Sequence, residues 1–494
     1  MHITRQDEQT LKEKGIDLSG FIAQLHRFTQ ETKPVKLERP CTLSDGIVNL
    51  SATECLRLQR LFESEGRKKR IQKFVPASGA ATRMFKHLHN YNPAEVSDLT
   101  EEFILRFNHF PFLEALAEVM AKNGHSLTDE IKKNNWALIF DFILSKRGLY
   151  YDSQLKGMVL FHKYDDGART AFEEHLYEAA EFAKQENGEC HIHFTLAPQN
   201  IAIVSYFLQN VAQKMPYEHF VLTYSVQNEN TDTIALNKDN EPVRGSDGKF
   251  LFRPAGHGAL IHNLQSLDAD VIFIKNIDNV TKEENRHDAD FYKKTLAGLL
   301  IELKSGINKY LINLKDGDAS LLEQALEFVQ LWFQPGLPIG MDREGLRQYA
   351  IHRLARPLRV CGMVKNEGEP GGGPFWVMSA EGMISKQIVE KSQVDLDDVS
   401  QSKILSASTH FNPVDIVCNF KDLDGKNYNL ENFVDHSTGF ISEKFHDGQV
   451  IKALELPGLW NGAMALWNTV FVEVPVSTFN PVKTVNDLLR AGHQ

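Results

Sequence analysis

Apolar and polar positions along the chain change period several times, and each change predicts a different element. Ser51-Ala52-Thr53-Glu54 has the spacing of a capping box, in which hydroxyl and carboxylate exchange bonds with the backbone at a helix start. Cys55, Leu58, Leu61 and Phe62 then share one helical face, and Gly66 suits the helix end. We read residues 1–66 as a helical extension. The basic run Arg67-Lys68-Lys69-Arg70 follows, read as a solvated face with phosphate contact as the alternative. A strand over Ile71–Val75 comes next.

Residues 98–147 have helical periodicity, with Phe103, Phe107, Phe110, Phe112 and Leu116 as core mass. Strand and helix signals then alternate. Met158–Phe161 is apolar, 170–184 helical, 191–195 strand-like, 201–213 helical, and Phe220–Tyr224 and Asp270–Ile274 strand-like. Helical patterns return over 283–355. Alternation of this kind predicts an α/β domain with a mainly parallel sheet, here over 67–494 with helical insertions near 98–147 and 283–355. The Gly/Pro-rich stretch 366–374 lies between strand-like flanks and reads as a substrate-facing loop or a linker.

Composition narrows the function classes. The 494 residues are 42% hydrophobic and 24% charged, ordinary for a globular chain. Lys plus Arg is 54 against 65 for Asp plus Glu, a net charge of −11, which argues against a nucleic-acid binder. Five scattered cysteines without a CxxC pair form no disulfide framework and suit a reducing compartment. No secretory signal opens the chain and no run reaches the ~20 apolar residues of a membrane span. A cytoplasmic protein without membrane partners is expected.

Five segments carry candidate chemistry. In Phe74 to Met84 a strand ends in the small residues Ala77, Ser78, Gly79, Ala80 and Ala81, then Thr82-Arg83-Met84 opens a short helix. Small side chains let backbone N–H groups approach an anion, and Arg83 supplies a fork for phosphoryl oxygens. Lys156-Gly157 lies just before an apolar run. Arg253 to Leu260 holds Pro254, Gly256, His257 and Gly258, a loop able to approach a ligand closely, and Gln227 follows a strand upstream with an amide that both donates and accepts. Asp278 stands after the apolar run Val271–Ile274, at a sheet edge where α/β folds bind ligands, and its carboxylate suits a hard cation such as Mg²⁺. Finally, Phe479 to Leu489 reads FNPVKTVNDLL.

These segments resemble the UDP-sugar pyrophosphorylases, the UDP-glucose and UDP-N-acetylhexosamine type nucleotidyltransferases. Gly79 and Thr82-Arg83-Met84 match the family's G-x-G-T-R-M loop, with Ala81 at the second glycine. Lys156-Gly157 is similar to P-K-G-L-x-P, with Leu155 at the proline. Gln227 matches F-x-Q, the 254–258 loop matches P-x-G-H-G, Asp278 matches V-D-N, and 479–489 matches F-x-P-V-K-T-x-x-D-L-L. The whole chain looks like a DUF4301-like branch, known by a domain-of-unknown-function label.

The resemblance implies a GT-A-like, Rossmann-like fold: a mixed, mainly parallel sheet flanked by helices. It implies that a nucleoside triphosphate, UTP by the uracil-reading Gln227, and a sugar 1-phosphate yield a UDP-sugar and pyrophosphate with Mg²⁺ or another divalent cation. Arg83, Lys156 and Lys483 are then catalytic; Ala77, Ser78, Gly79, Ala80, Gln227, Gly256 and His257 bind nucleotide; Asp278 holds metal. Trp460 and Asn461, in LPGLWNG, are candidate sugar contacts from side-chain chemistry alone. A glycosyltransferase on the same fold and a non-catalytic nucleotide-sugar binder are the alternatives.

Overall fold

In the computed structural model, residues 3–29, 34–215, 219–317, 319–368, 371–379 and 382–494 are described. Residues 369 and 370, within the Gly/Pro-rich loop, lie outside them. The fold is mixed α/β. Two compact units form, each from several chain segments. The first comprises 1–62, 225–272 and 296–474, the second 63–224, 273–295 and 475–494.

The second unit is built on strands in the order Val271–Ile274, Ile71–Pro76, Glu189–Thr195 and His219–Ser225. Ile71–Pro76 runs parallel to Glu189–Thr195, with Phe74 opposite His193. Lys275 N donates to Phe74 O at 3.2 Å, which ties the first strand to the second. The helix Ala171–Phe182 starts at Thr170, where the hydroxyl and Glu173 complete a capping box. Residues 98–147 fold into the four helices Asp98–Leu105, Leu113–Lys122, Leu127–Lys132 and Trp136–Leu144. Their aromatic residues form a core: Phe103 and Phe110 stack at 4.4 Å between ring centroids, and Phe112 and Leu116 are fully buried. Val482, Val485, Leu488 and Leu489 from the far end of the chain join this core.

Among its described residues, the first unit holds strands of three sheets. One has the order Thr42–Leu43, Gly46–Val48, Asn468–Glu473, Leu358–Lys365 and His410–Asn419, parallel up to Leu358–Lys365 and antiparallel at the last pair. A second pairs Leu37–Pro40, Gly373–Met378 and Ile384–Val389, and a third pairs Phe252–Arg253, Thr233–Leu236, Gln449–Glu455 and Phe440–His446. The capping box at Ser51 and Glu54 starts Ala52–Leu61 as its spacing predicts. Residues 37–48, however, are strands and not helix. Pro40 and the β-branched Thr42, Ile47 and Val48 disfavour helix there, and Leu37–Pro40 and Gly46–Val48 each pair with a strand more than 300 residues away, beyond the reach of local periodicity. Helices Arg5–Glu13 and Leu18–Thr29 pack Leu11, Phe21 and Phe28 against Ile234, Phe250 and Leu454. Among the described residues, no helix is long and apolar enough to cross a membrane.

Candidate functional site

In the second unit, Ile71–Pro76 delivers the small-residue loop at its carboxyl end. Ala77 is buried, and its N–H donates to Thr195 O at 3.0 Å, while Ser78, Gly79 and Ala80 stand exposed. The loop is stitched to residues 154–156: Ala81 N donates to Gln154 O at 2.9 Å and Lys156 N to Gly79 O at 3.0 Å. A side-chain carbon built on Gly79 meets nothing within 4 Å, so the backbone there faces open space. Arg83 follows on the turn Thr82–Phe85 and is exposed.

The two departures from the pyrophosphorylase pattern have local explanations. The Ala81 methyl is fully buried in the aromatic core, so it does not crowd the open side of the loop. Leu155 has φ −61° and ψ 137°, angles that a proline would also hold. The glycine after Lys156 is required by packing, because a Cβ on Gly157 would lie 2.5 Å from the Phe172 ring.

Asp278 emerges four residues beyond Val271–Ile274. The segment around Pro481 lies antiparallel against it: Asn279 bridges Pro481, and Val482 N donates to Asp278 O at 3.0 Å. Lys156 and Lys483 thereby meet on one atom, donating to Asp278 Oδ2 at 2.6 and 3.0 Å. Burial pushes the Asp278 carboxyl up, but the two ammonium groups outweigh it and hold the group below the usual carboxylate range. Burial pulls the Lys156 ammonium down against the opposing pull of Asp278. The Lys156 side chain is 14% exposed and that of Lys483 54%, so the first is enclosed and the second is open to solvent.

The remainder of FNPVKTVNDLL is structural. Asp487 Oδ2 accepts from Lys483 N and Thr484 N at 2.7 and 2.6 Å and caps the turn Val485–Leu489, whose apolar residues enter the core. Lys483 is the residue in this stretch whose charge projects towards solvent.

Behind Asp278 lies a group that sequence reasoning missed. Lys73 on Ile71–Pro76 and Lys275 just past Val271–Ile274 both donate to the buried Glu178, at 2.8 and 2.6 Å. His175, one turn away, is within 3.2 Å of Ile277 O. Lysines inside apolar strands, and a glutamate on the buried face of Ala171–Phe182, are the signal that was available.

The first unit gathers the remaining candidates. Gly256 sits at φ +79° and opens the turn His257–Leu260. A Cβ on Gly258 would lie 2.1 Å from Pro457 O, so this loop and the LPGLWNG segment touch backbone to backbone. Leu459 N donates to His257 Nδ1 at 3.1 Å, and the His257 ring stacks on Trp460 at 4.5 Å. Burial lowers the His257 pKa, opposed by Glu390 and Glu455. Trp460 O accepts from the buried Arg359 at 2.6 Å, and Asn461 Nδ2 donates to Gln393 at 3.0 Å. Gln227 is half-buried, its amide 3.4 Å from Thr231 Oγ1. Thr231, Gly258 and Pro457 line a cavity of about 380 Å³, with Gln24 and Arg27 of the helix Leu18–Thr29 on its wall. Those two helix residues were not predicted; their positions beside the apolar Phe21, Leu25 and Phe28 were the only hint.

Metal chemistry has one foothold. Among the described residues, no group of three or more His, Cys, Asp and Glu is placed to hold a metal ion. His191 bonds Glu189, and His193 bonds Thr223. Asp278 offers one carboxylate, the ligand type that Mg²⁺ takes, and its Oδ2 accepts from both Lys156 and Lys483.

A family model described as "Domain of unknown function (DUF4301)" matches residues 4–494. The chain belongs to the DUF4301 family. No curated protein sequence matches it. Among solved structures, this DUF4301 chain is similar to the UDP-N-acetylglucosamine pyrophosphorylase of Trypanosoma brucei, at 12% identity and TM-score 0.50, over 99% of this chain and 80% of that one. It also matches a UDP-glucose phosphorylase of T. brucei, at 14% identity, TM-score 0.49, and 98% and 77% coverage. A UDP-glucose pyrophosphorylase mutant of Leishmania major in complex with UDP-glucose matches at 12% identity, TM-score 0.44, and 99% and 78% coverage. At these identities the likeness concerns fold.

Proposed function

We propose that this DUF4301 protein is a sugar-1-phosphate nucleotidyltransferase that forms a UDP-sugar and pyrophosphate from UTP and a sugar 1-phosphate. The GT-A-like reading of its sheet belongs to the same proposal. The observation that carries it is the meeting of Lys156 and Lys483 on Asp278, beside an open small-residue loop followed by Arg83.

The reaction is an in-line attack of a sugar phosphate oxygen on the α-phosphorus of the triphosphate. The nucleophile is already an anion, so the site needs no strong base. It must align two polyanions and neutralise the charge that builds on the leaving pyrophosphate. Exposed backbone at 78–80 receives phosphate oxygens, and Arg83 supplies a fork. Lys156, enclosed, positions a phosphoryl oxygen, and Lys483, open to solvent, swings from Asp278 onto the substrate. Asp278 is the residue that would hold Mg²⁺, which would supply Lewis-acid charge neutralisation to the reaction. In the first unit, the same reading assigns Gln227, Gly256 and His257 to the nucleotide and Trp460 and Asn461 to the sugar.

The test is a panel of nucleoside triphosphates against sugar 1-phosphates, with and without Mg²⁺, reading pyrophosphate release. Turnover with UTP and one class of hexose 1-phosphate is the expected result. Tight UDP-sugar binding without pyrophosphate release or exchange would replace the proposal with a binding protein.

A further inference from the structure

The helix Arg343–Leu354 in the first unit presents one face made of positions 345, 348, 349, 352, 353 and, just past its end, 356. Gly345, Gln348, Tyr349 and His352 line an open groove of about 720 Å³. Arg353 continues this face, is only 5% exposed, and its Nε is buried with no hydrogen-bond partner among the described residues. The same is true of Tyr349 Oη and of Gln334 Nε2, the latter two residues beyond the carbonyl of Trp332 that accepts from the buried Lys386.

Among the described residues, Arg356 is the charged group that acts on Arg353, and no carboxylate does. Burial and Arg356 pull its guanidinium down to about 9. Burial also pulls Lys386 down to about 8, and Arg353 is among the charges that lower it further. Asp342, on the groove wall, is engaged in capping the helix through Gly345 N at 2.8 Å.

A buried guanidinium left without an acceptor is costly, and removing one such cost takes an acceptor brought from outside. The unmet groups here are N–H and O–H donors, which demand an oxygen-rich partner. Two cations one turn apart on this face, Arg353 and Arg356, favour a negatively charged partner. Five per cent exposure lets an ion touch the guanidinium edge but not the surface of another folded chain.

We propose that this face of Arg343–Leu354 is a second anion site, independent of the nucleotidyl-transfer reading, that takes a phosphate-bearing small molecule. Equilibrium dialysis of the full chain with radiolabelled inorganic phosphate, pyrophosphate and glucose 1-phosphate in chloride buffer tests it. Arg353→Met should weaken one class of sites at least tenfold and Tyr349→Phe severalfold, while Lys483→Ala leaves that class unchanged. Tighter binding of glucose 1-phosphate than of either inorganic ion would mark an organic phosphate as the occupant, and the reverse a free ion.

Tyr349→Phe removes a hydroxyl that has no partner, so it should keep the unliganded melting temperature, and it decides the matter if Arg353→Met does not fold. Phosphate binding equal to the parent in both variants overturns the proposal. So does a dimer in sedimentation that Tyr349→Phe or Arg353→Met dissociates without change in phosphate binding, which would make a second copy the occupant.

Discussion

The two units use their motif residues in opposite ways. In the second, Lys483 and Arg83 keep their charges at the surface while the rest of each motif is absorbed by caps and core. In the first, His257, Trp460, Asn461 and Gly258 are tied to one another or to neighbouring backbone. The difference teaches that a loop rich in glycine and aromatic residues is explained in good part by close packing. An exposed lysine whose motif neighbours are all structurally employed needs another explanation.

The largest effect that would test this contrast is loss of the shared carboxylate. Asp278→Ala leaves the buried Lys156 unpaired and should cost about 3 kcal/mol in chemical denaturation, the scale of stranding one partner of a buried pair. Lys483→Ala should keep the melting temperature yet lower kcat/KM for pyrophosphate release ~10²-fold or more, about 3 kcal/mol of transition-state stabilisation. A fully active Lys483→Ala protein would erase the distinction between the units.

The glycines give a sharper pair. Gly258→Ala drives a methyl into Pro457 O and should destabilise by ~1–3 kcal/mol. Gly79→Ala meets no atom within 4 Å, so the unliganded melting temperature should hold while KM for the triphosphate rises. An unchanged KM would mean that phosphates do not approach the loop at that residue.

The smallest effect is in acid. The Asp278 carboxyl is held below its usual 3.8, so its contribution to stability is complete above that value and lost as pH falls through the lower folded value. The stability gap between parent and Asp278→Asn should be flat from pH 5 to 7 and narrow below pH ~4. A gap that instead widened towards acid would reverse the assigned direction.

Much of this was legible along the chain, for physical reasons that can be named. Helices with their own start signals, such as those begun by Ser51 and Thr170, are specified within a few residues. The strands at 37–48 were not, because their partners are remote and short strands lack a period long enough to read. Lys156, Asp278 and Lys483 were found through motif order, and the structure brings them onto one oxygen. The Glu178 group and the Arg353 face were missed, since a lysine or arginine in sequence carries no mark of whether it will be buried.

The doubly occupied oxygen of Asp278 has one more implication. Two lysines without a carboxylate would repel each other, whereas here Asp278 offsets one of their two charges and, under the proposed function, holds the place of an incoming anion. Under the proposed function a guest would have to displace that stand-in, so a singly charged anion such as chloride would gain little by entering, whereas a triphosphate would bring enough charge to win the exchange.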